Sequence, residues 1–314
     1  MNINLSQASR IQFSSTEQLQ AALAAVWDVE ITQSESGPIE TSLWSSRAGD
    51  CLIYGSTSSL ALVCSGQRST EYWTITPVTR SCAGARFRGQ RLDEGDLLLL
   101  DPGGEVFQQT AAGHCQHAIS IPVKLAERIV QAEYHNESQS LLRQWCVNSN
   151  PRISARLEKT LWDILSGGLE MAAHVGPTEL AAQVIALTQA GAAPKSIRSS
   201  LAHRRRIVSR AEELIRSRLD RPPSVTELCE ATHASRRLLF YAFKELLGRS
   251  PAAHAKILRL YAARRRILAG ADRRCIQQVA IDLGFWHPGQ FAIDYSRLFG
   301  EQPNQSRLRF AAGS

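Results

Sequence analysis

The chain has 314 residues, enough for two domains that each bury a core of their own. No apolar run approaches the ~18 residues that span a bilayer, and the opening MNINLSQASRIQF lacks the apolar stretch of a secretory signal, so the chain is expected to be soluble and to have no membrane partner. The net charge of +7 is unevenly carried: residues 1–200 hold 15 Lys+Arg against 19 Asp+Glu, about −4, whereas residues 201–314 hold 21 against 10, about +11. That asymmetry points to a polyanion-binding module joined to something else.

The first elements are short and apolar or alternating: CLIYG (51–55), LALVC (60–64), YWTITP (72–77), LLLLD (97–101), EVFQQ (105–109) and CQHAISIP (115–122). Turn residues, notably DEGD and DPGG, separate them, which predicts a small antiparallel barrel or sandwich. Tyr54, Tyr72, Trp73 and Thr74 are candidate pocket residues, although a core position accounts for each equally well. His114, Cys115 and His117 form a tight cluster of metal-ligand types, but H-C-x-H without a further partner at a recognisable spacing is weak. One buried histidine on an alternating strand explains the pattern as well, so no metal, cofactor or catalytic residue is expected. The seven cysteines (Cys51, Cys64, Cys82, Cys115, Cys146, Cys229 and Cys275) are scattered and odd in number, which fits a reducing, cytoplasmic setting.

Helical stretches follow at about 123–134, 137–147, 152–168 and 178–189. Leu141, Leu142 and Trp145 share a face, as do Leu157, Leu161 and Leu165; either set could serve a homodimer or pack on the barrel. The Gly-, Pro- and Ser-containing stretch that ends in a basic cluster predicts a linker over 191–205, after a sensing domain over 1–190. Arg204, Arg205 and Arg206 then read as the solvated start of a helix, with phosphate contact as the alternative.

Residues 206–314 read as helices throughout. Ile207, Ala211, Leu214, Ile215 and Leu219 line one face of the first, which stops before Pro222-Pro223. Ser224 and Glu227 make a capping box for a short helix, the residues THA make a turn, and Ser235 caps a longer helix ending at Gly248. Over 224–247 this is a helix-turn-helix. Leu239, Ala242, Phe243 and Leu246 face its core, leaving Arg237, Phe240, Tyr241 and Lys244 outward, a suitable set for a major groove. A long helix follows, with Arg264, Arg265 and Arg266 lying mostly off its buried stripe.

The pattern then returns over 275–299: a short helix, a Gly-Phe turn and a second helix with Phe291, Tyr295 and Leu298 inward, and Gln290, Ile293 and Arg297 outward. Its opening, HPGQ, suits a helix that meets phosphate. Pro288 at the first position loses no bonded amide, Gly289 carries no side chain, and His287 and Gln290 flank the free amides. The structural alternative is a mere sharp turn with Trp286 buried as its anchor.

Residues 207–310 resemble the AraC/XylS transcription regulators, on ASRRLLFYAFKELLGRSPAAHAKILRLYAARRRIL and VAIDLGFWHPGQFAIDYSRLFGEQPNQSRL. The resemblance implies an α+β chain: an N-terminal cupin-like barrel with helices, and an all-α domain of seven helices with two helix-turn-helix units. It places base-reading residues at Arg236, Arg237, Phe240 and Tyr241, and at His287, Gly289, Gln290 and Ile293. Phe240, Gly289 and Ile293 depart from the polar readers common in the family, which favours methyl contact or shape reading there. GFWHPGQFAIDY looks most like the subgroup of ethanolamine-utilisation regulators. Implied partners are double-stranded promoter DNA, RNA polymerase and a small-molecule effector of unknown identity, with activation as the family habit. The alternatives are a cupin-type metalloenzyme with a DNA-binding tail, and an unregulated architectural DNA binder.

Overall fold

The computed structural model describes residues 9–82, 84–134, 146–174, 176–189, 194–195, 199–269 and 275–312. The chain forms two compact units, one of Met1–Ile31 with Glu40–Ile197, the other of Thr32–Ile39 with Arg198–Ser314.

The first unit is built on two antiparallel sheets. One runs β1 (Ser9–Phe13), β3 (Thr41–Ala48), β4 (Cys51–Ser58), β11 (His114–Pro122), β6 (Tyr72–Pro77), β9 (Asp96–Leu100), β12 (Cys146–Ser149) and β13 (Pro194–Lys195) in spatial order. The other runs β2 (Trp27–Gln33), β5 (Leu62–Arg68), β10 (Glu105–Gln109), β7 (Arg86–Phe87) and β8 (Gln90–Arg91). All six strand-like segments of the sequence are strands. Of the flanking strands β3 is mixed in polarity and carries little such signal, whereas β1 and β2 do alternate, over Arg10–Phe13 and Trp27–Ile31.

Period-two alternation sorts the large sheet into two faces. Ile119 lies opposite Ile53 on one side and Ile75 on the other, and these join Trp73 and Ile121 in a layer covered by helices. Helix α1 (Thr16–Leu23) follows β1, and the covering helices are α2 (Val123–Tyr134), α3 (Pro151–His174) and α4 (Pro177–Gln189). Leu157 and Leu161 are 1% and 0% exposed in this core, with Leu165 beside them. That corrects the dimer reading of this face: the stripe is consumed by packing on the sheet. Trp73 belongs to the same layer and not to a pocket. Of the helix expected over 137–147, residues 146–147 are strand, while Leu141, Leu142 and Trp145 lie outside the described residues.

The second unit contains seven described helices: α5 (Ser199–Ser217), α6 (Val225–Thr232), α7 (Arg236–Leu247), α8 (Pro251–Leu268), α9 (Ile276–Asp282), α10 (Pro288–Phe299) and α11 (Pro303–Ala312). The expected linker over 191–205 is too long, because α5 already runs from Ser199, with Leu201 buried and Arg205 only 9% exposed. Burial of this first turn outweighs the local polarity. The short piece Thr32–Ile39 packs within this unit: the Gln33 amide donates to the Tyr261 hydroxyl at 2.8 Å, and Gly37 N donates to the Leu298 carbonyl at 3.1 Å.

Candidate nucleic-acid interface

Each helix-turn-helix is assembled by local rules. In the first, Ser224 and Glu227 complete the capping box, with Glu227 N donating to Ser224 Oγ at 3.2 Å and Ser224 N to Glu227 Oε2 at 2.8 Å. The backbone amide and Ser224 hold the Glu227 carboxyl below its ordinary range. His233 then takes the left-handed conformation, φ 53°, to make the turn. Ser235 accepts from Leu238 N at 3.3 Å and starts α7, which Gly248 ends at φ 69°. Leu239, Ala242, Phe243 and Leu246 are fully buried, so α7 keeps its opposite face outward.

On that face Arg236, Arg237, Tyr241 and Lys244 are exposed, while Phe240 is half-buried. The Arg236 guanidinium lies 5.7 Å from the Phe240 ring centre, and that of Arg204 lies 5.4 Å from Tyr241. Arg204 also pairs with Glu245, so it is not the solvated helix start expected; it braces Tyr241 from behind. Lys244 Nζ donates to the Gly248 carbonyl at 3.1 Å, which holds this cation at the far end of α7. Among the described residues nothing pairs with Arg237, which is exposed and stands clear.

The second unit repeats the plan with different materials. Its turn is locked from α8: Arg259 Nε donates to the Leu283 carbonyl at 2.7 Å and its guanidinium lies 4.2 Å from the Phe285 ring centre. Gly284 has φ 72°, and a Cβ there would lie 2.3 Å from the Asp220 carbonyl oxygen. The turn therefore demands glycine twice over, for conformation and for space. Phe291, Tyr295, Leu298 and Phe299 fill the core. Behind them Arg264 pairs with Glu301 at 2.8 Å, Ser306 donates to Glu301 at 2.7 Å, and Tyr295 donates to Ser306 at 2.8 Å. Arg264 is 5% exposed, so it is a structural cation and does not lie off the buried stripe as expected; Arg265 and Arg266 are exposed. Lys256 pairs with Asp294 at 2.5 Å and ties α8 to α10.

The start of α10 is bare. His287 is the cap residue but makes no capping bond from its side chain, Pro288 follows, and nothing lies within 4 Å of a Cβ built on Gly289. Gly289 thus answers no demand of the fold. Trp286, the buried anchor of the sharp-turn alternative, is instead 75% exposed, and Phe285 is buried in its place. Its exposure was not legible locally, because a tryptophan beside a Gly-Phe turn reads equally well as core. His287, Gln290, Ile293 and Arg297 are exposed on the same side of the helix, as expected. Among the described residues five large apolar side chains stand exposed, and three of them, Tyr241, Trp286 and Ile293, are on or beside α7 and α10.

In the first unit His114 and His117 part company. His114 faces a cavity between the sheets and bonds Gln116 Oε1 at 3.0 Å, whereas His117 Nδ1 bonds Glu158 of α3 at 2.8 Å under the helical layer. The H-C-x-H pattern therefore does not gather its histidines on one centre. Tyr54 lines the cavity, and Thr74 lies fully buried nearby; Tyr72 is only half-buried and lines neither this cavity nor the helical core. Burial lowers the pKa of His114, against the opposing bond to Gln116, and pushes the Cys64 thiol up to about 12.

Residues 228–309 match a family model described as a helix-turn-helix domain. Over 101 residues the chain is 32% identical to the XylDLEGF operon transcriptional activator 1 of Pseudomonas putida, covering 32% of this chain and 30% of that protein. A probable thc operon regulatory protein of Rhodococcus erythropolis is 30% identical over 100 residues, again 32% of this chain and 30% of the other. Among solved structures, a probable AraC family transcriptional regulator from Rhodopseudomonas palustris is 36% identical, covering 33% of this chain and 96% of that one, with a TM-score of 0.32. The chain thus spans about 30% of the length of the curated relatives it matches.

Proposed function

We propose that this chain, whose C-terminal third is a helix-turn-helix domain of the AraC family, is a sequence-specific transcription regulator that reads promoter DNA with α7 and α10 in successive major grooves. The observation that carries the reading is the outward face of both helices. Exposed Arg236, Arg237 and Tyr241 on one, and His287, Gln290, Ile293 and Arg297 on the other, are turned away from the buried core. Between them α8 has 18 residues, about 27 Å at ~1.5 Å per residue, a length that suits two contacts about one DNA turn apart. Arg237 is suited to a guanine edge, and Tyr241 and Ile293 to thymine methyls. The uncapped amides of α10, with Gly289 bare, suit a phosphate.

The Pseudomonas putida relative, named as an operon transcriptional activator, supports activation, and with it contact to RNA polymerase. The cavity between the sheets supports control by a small effector, and a homodimer would bring two copies to one promoter. The likeness of GFWHPGQFAIDY to ethanolamine-utilisation regulators lies in α10, so it speaks to the DNA element and not to the effector. A cupin-type metalloenzyme is disfavoured by the opposite facing of His114 and His117.

Selection of random duplex DNA by the full-length chain tests the reading. Two enriched half-elements about one turn apart are expected, with Arg237→Ala relaxing one and Gln290→Ala the other. Binding that merely fades with salt and enriches no sequence would make the domain an architectural binder and sink the proposal.

A further inference from the structure

Arg68, at the end of β5, is buried inside the first unit at 3% exposure. Its Nη2 donates to the Thr74 hydroxyl, which shares a 2.5 Å contact with Ser120 Oγ. Its Nε and Nη1 have no hydrogen-bond partner, and no carboxylate among the described residues pairs with it. The nearby carboxylate, Asp101, is committed to Arg88 at 3.1 Å. Arg68 thus has no carboxylate of its own among the described residues. A buried charge of that kind is costly unless something neutralises it, and a guanidinium with free N–H groups is suited to an oxyanion.

The cation adjoins the cavity. Trp27 and Tyr54 line that cavity and bond each other, the indole N–H donating to the Tyr54 hydroxyl at 2.9 Å. The Trp27 ring centre also lies 5.4 Å from the Arg68 guanidinium carbon. The remaining walls are apolar (Leu19, Leu23, Ile31, Leu62) and uncharged polar, Gln108 and Gln116 among them. The cavity offers only about 30 Å³ of free volume, so a ligand must part side chains to enter.

We propose that the interior of this unit receives a small organic monocarboxylate, its carboxylate on Arg68 and its apolar body against Leu19, Leu23, Ile31 and Leu62. One cation without a carboxylate of its own matches one negative charge; a phosphate dianion would leave a buried excess of its own. The ligand reaches Arg68 past Trp27 and Tyr54, and displacing that hydrogen-bonded pair is the internal change its arrival produces. This inference rests on the effector reading above and gives it a chemical class.

Thermal unfolding of the full-length chain tests it, with hexanoate and 3-phenylpropanoate set against their primary amides. The acids are expected to raise the midpoint of the first unit by about 5–10 °C at a concentration ~100-fold above Kd, and the amides to leave it unmoved. Arg68→Met replaces a buried charge by an apolar chain, so it should fold and lose the response. Arg68→Lys keeps the charge and should retain a weaker one, which carries the test should Arg68→Met not fold. Amides as effective as acids, an unchanged response in Arg68→Met, or no shift from either acid would overturn the proposal. DNA affinity read in parallel separates the two ideas. Acids that shift the midpoint without altering DNA binding leave the carboxylate site standing and remove effector control. A neutral compound that alters DNA binding while the acids do nothing keeps effector control and removes the carboxylate.

Discussion

Helix α7 begins under a serine cap and presents two arginines, whereas α10 begins with no side-chain cap, on a Pro-Gly pair beside an exposed tryptophan. The contrast extends behind them. Tyr241 of α7 is braced by a surface arginine, while α10 rests on a buried network of Arg264, Glu301, Ser306 and Tyr295. Two copies of one motif have thus divided the work: the first offers cations and rotatable side chains, the second offers shape, apolar surface and a bare helix end. The second needs the firmer support, because shape reading fails if the reader moves.

That contrast is sharpest in stability. Arg264→Ala removes the arginine of a buried ion pair and should cost about 3–5 kcal/mol in denaturant unfolding. Arg204→Ala removes a pair whose side chains keep 18% and 21% exposure and should cost only about 1 kcal/mol or less. Equal losses would show that the two units are held alike.

The turns differ next. Gly284→Ala meets both a left-handed backbone and the Asp220 carbonyl, and should lower stability by about 2–3 kcal/mol. In the first unit the left-handed residue is His233, so His233→Gly should be neutral or stabilising by up to about 1 kcal/mol. A Gly284→Ala protein that melts as the parent does would refute the packing argument.

On DNA, Arg237→Ala should cost about 1–3 kcal/mol and reduce the salt dependence of affinity by about one charge. Ile293→Ala should weaken binding by less and leave the salt slope alone. A changed slope for Ile293→Ala would mean that the variant disturbs the phosphate contacts of α10. The smallest effect on the fold belongs to Gly289→Ala, which should leave stability unchanged or raised by a few tenths of a kcal/mol. The same change should lower DNA affinity about tenfold (~1.4 kcal/mol) if a backbone phosphate approaches that helix end. Parental DNA affinity in Gly289→Ala would mean that nothing docks there.

The sequence by itself determined the two helix-turn-helix units almost to the residue. Caps, turn glycines and the 3.6-residue period are local signals, and they placed the units at 224–247 and 275–299 against helices spanning 225–247 and 276–299. It also determined most of the outward set, because a residue off the apolar stripe of a short helix has nowhere to go but outside. In the first unit the apolar strands β4, β5, β6, β9, β10 and β11 were legible; β3, mixed in polarity, carries little period-two signal, whereas the short alternations of β1 and β2 lack the apolar runs that mark the others.

Only the tertiary structure decided what depends on contacts between distant residues. Nothing near Arg264 in sequence announces Glu301, and nothing near Phe285 says that it, and not Trp286, turns inward. Likewise the isolation of Arg68 is invisible along the chain, for Asp101 seems available until Arg88 is found holding it. Period and capping act over one or two turns, whereas burial, pairing and an unmet charge are properties of the assembled interior.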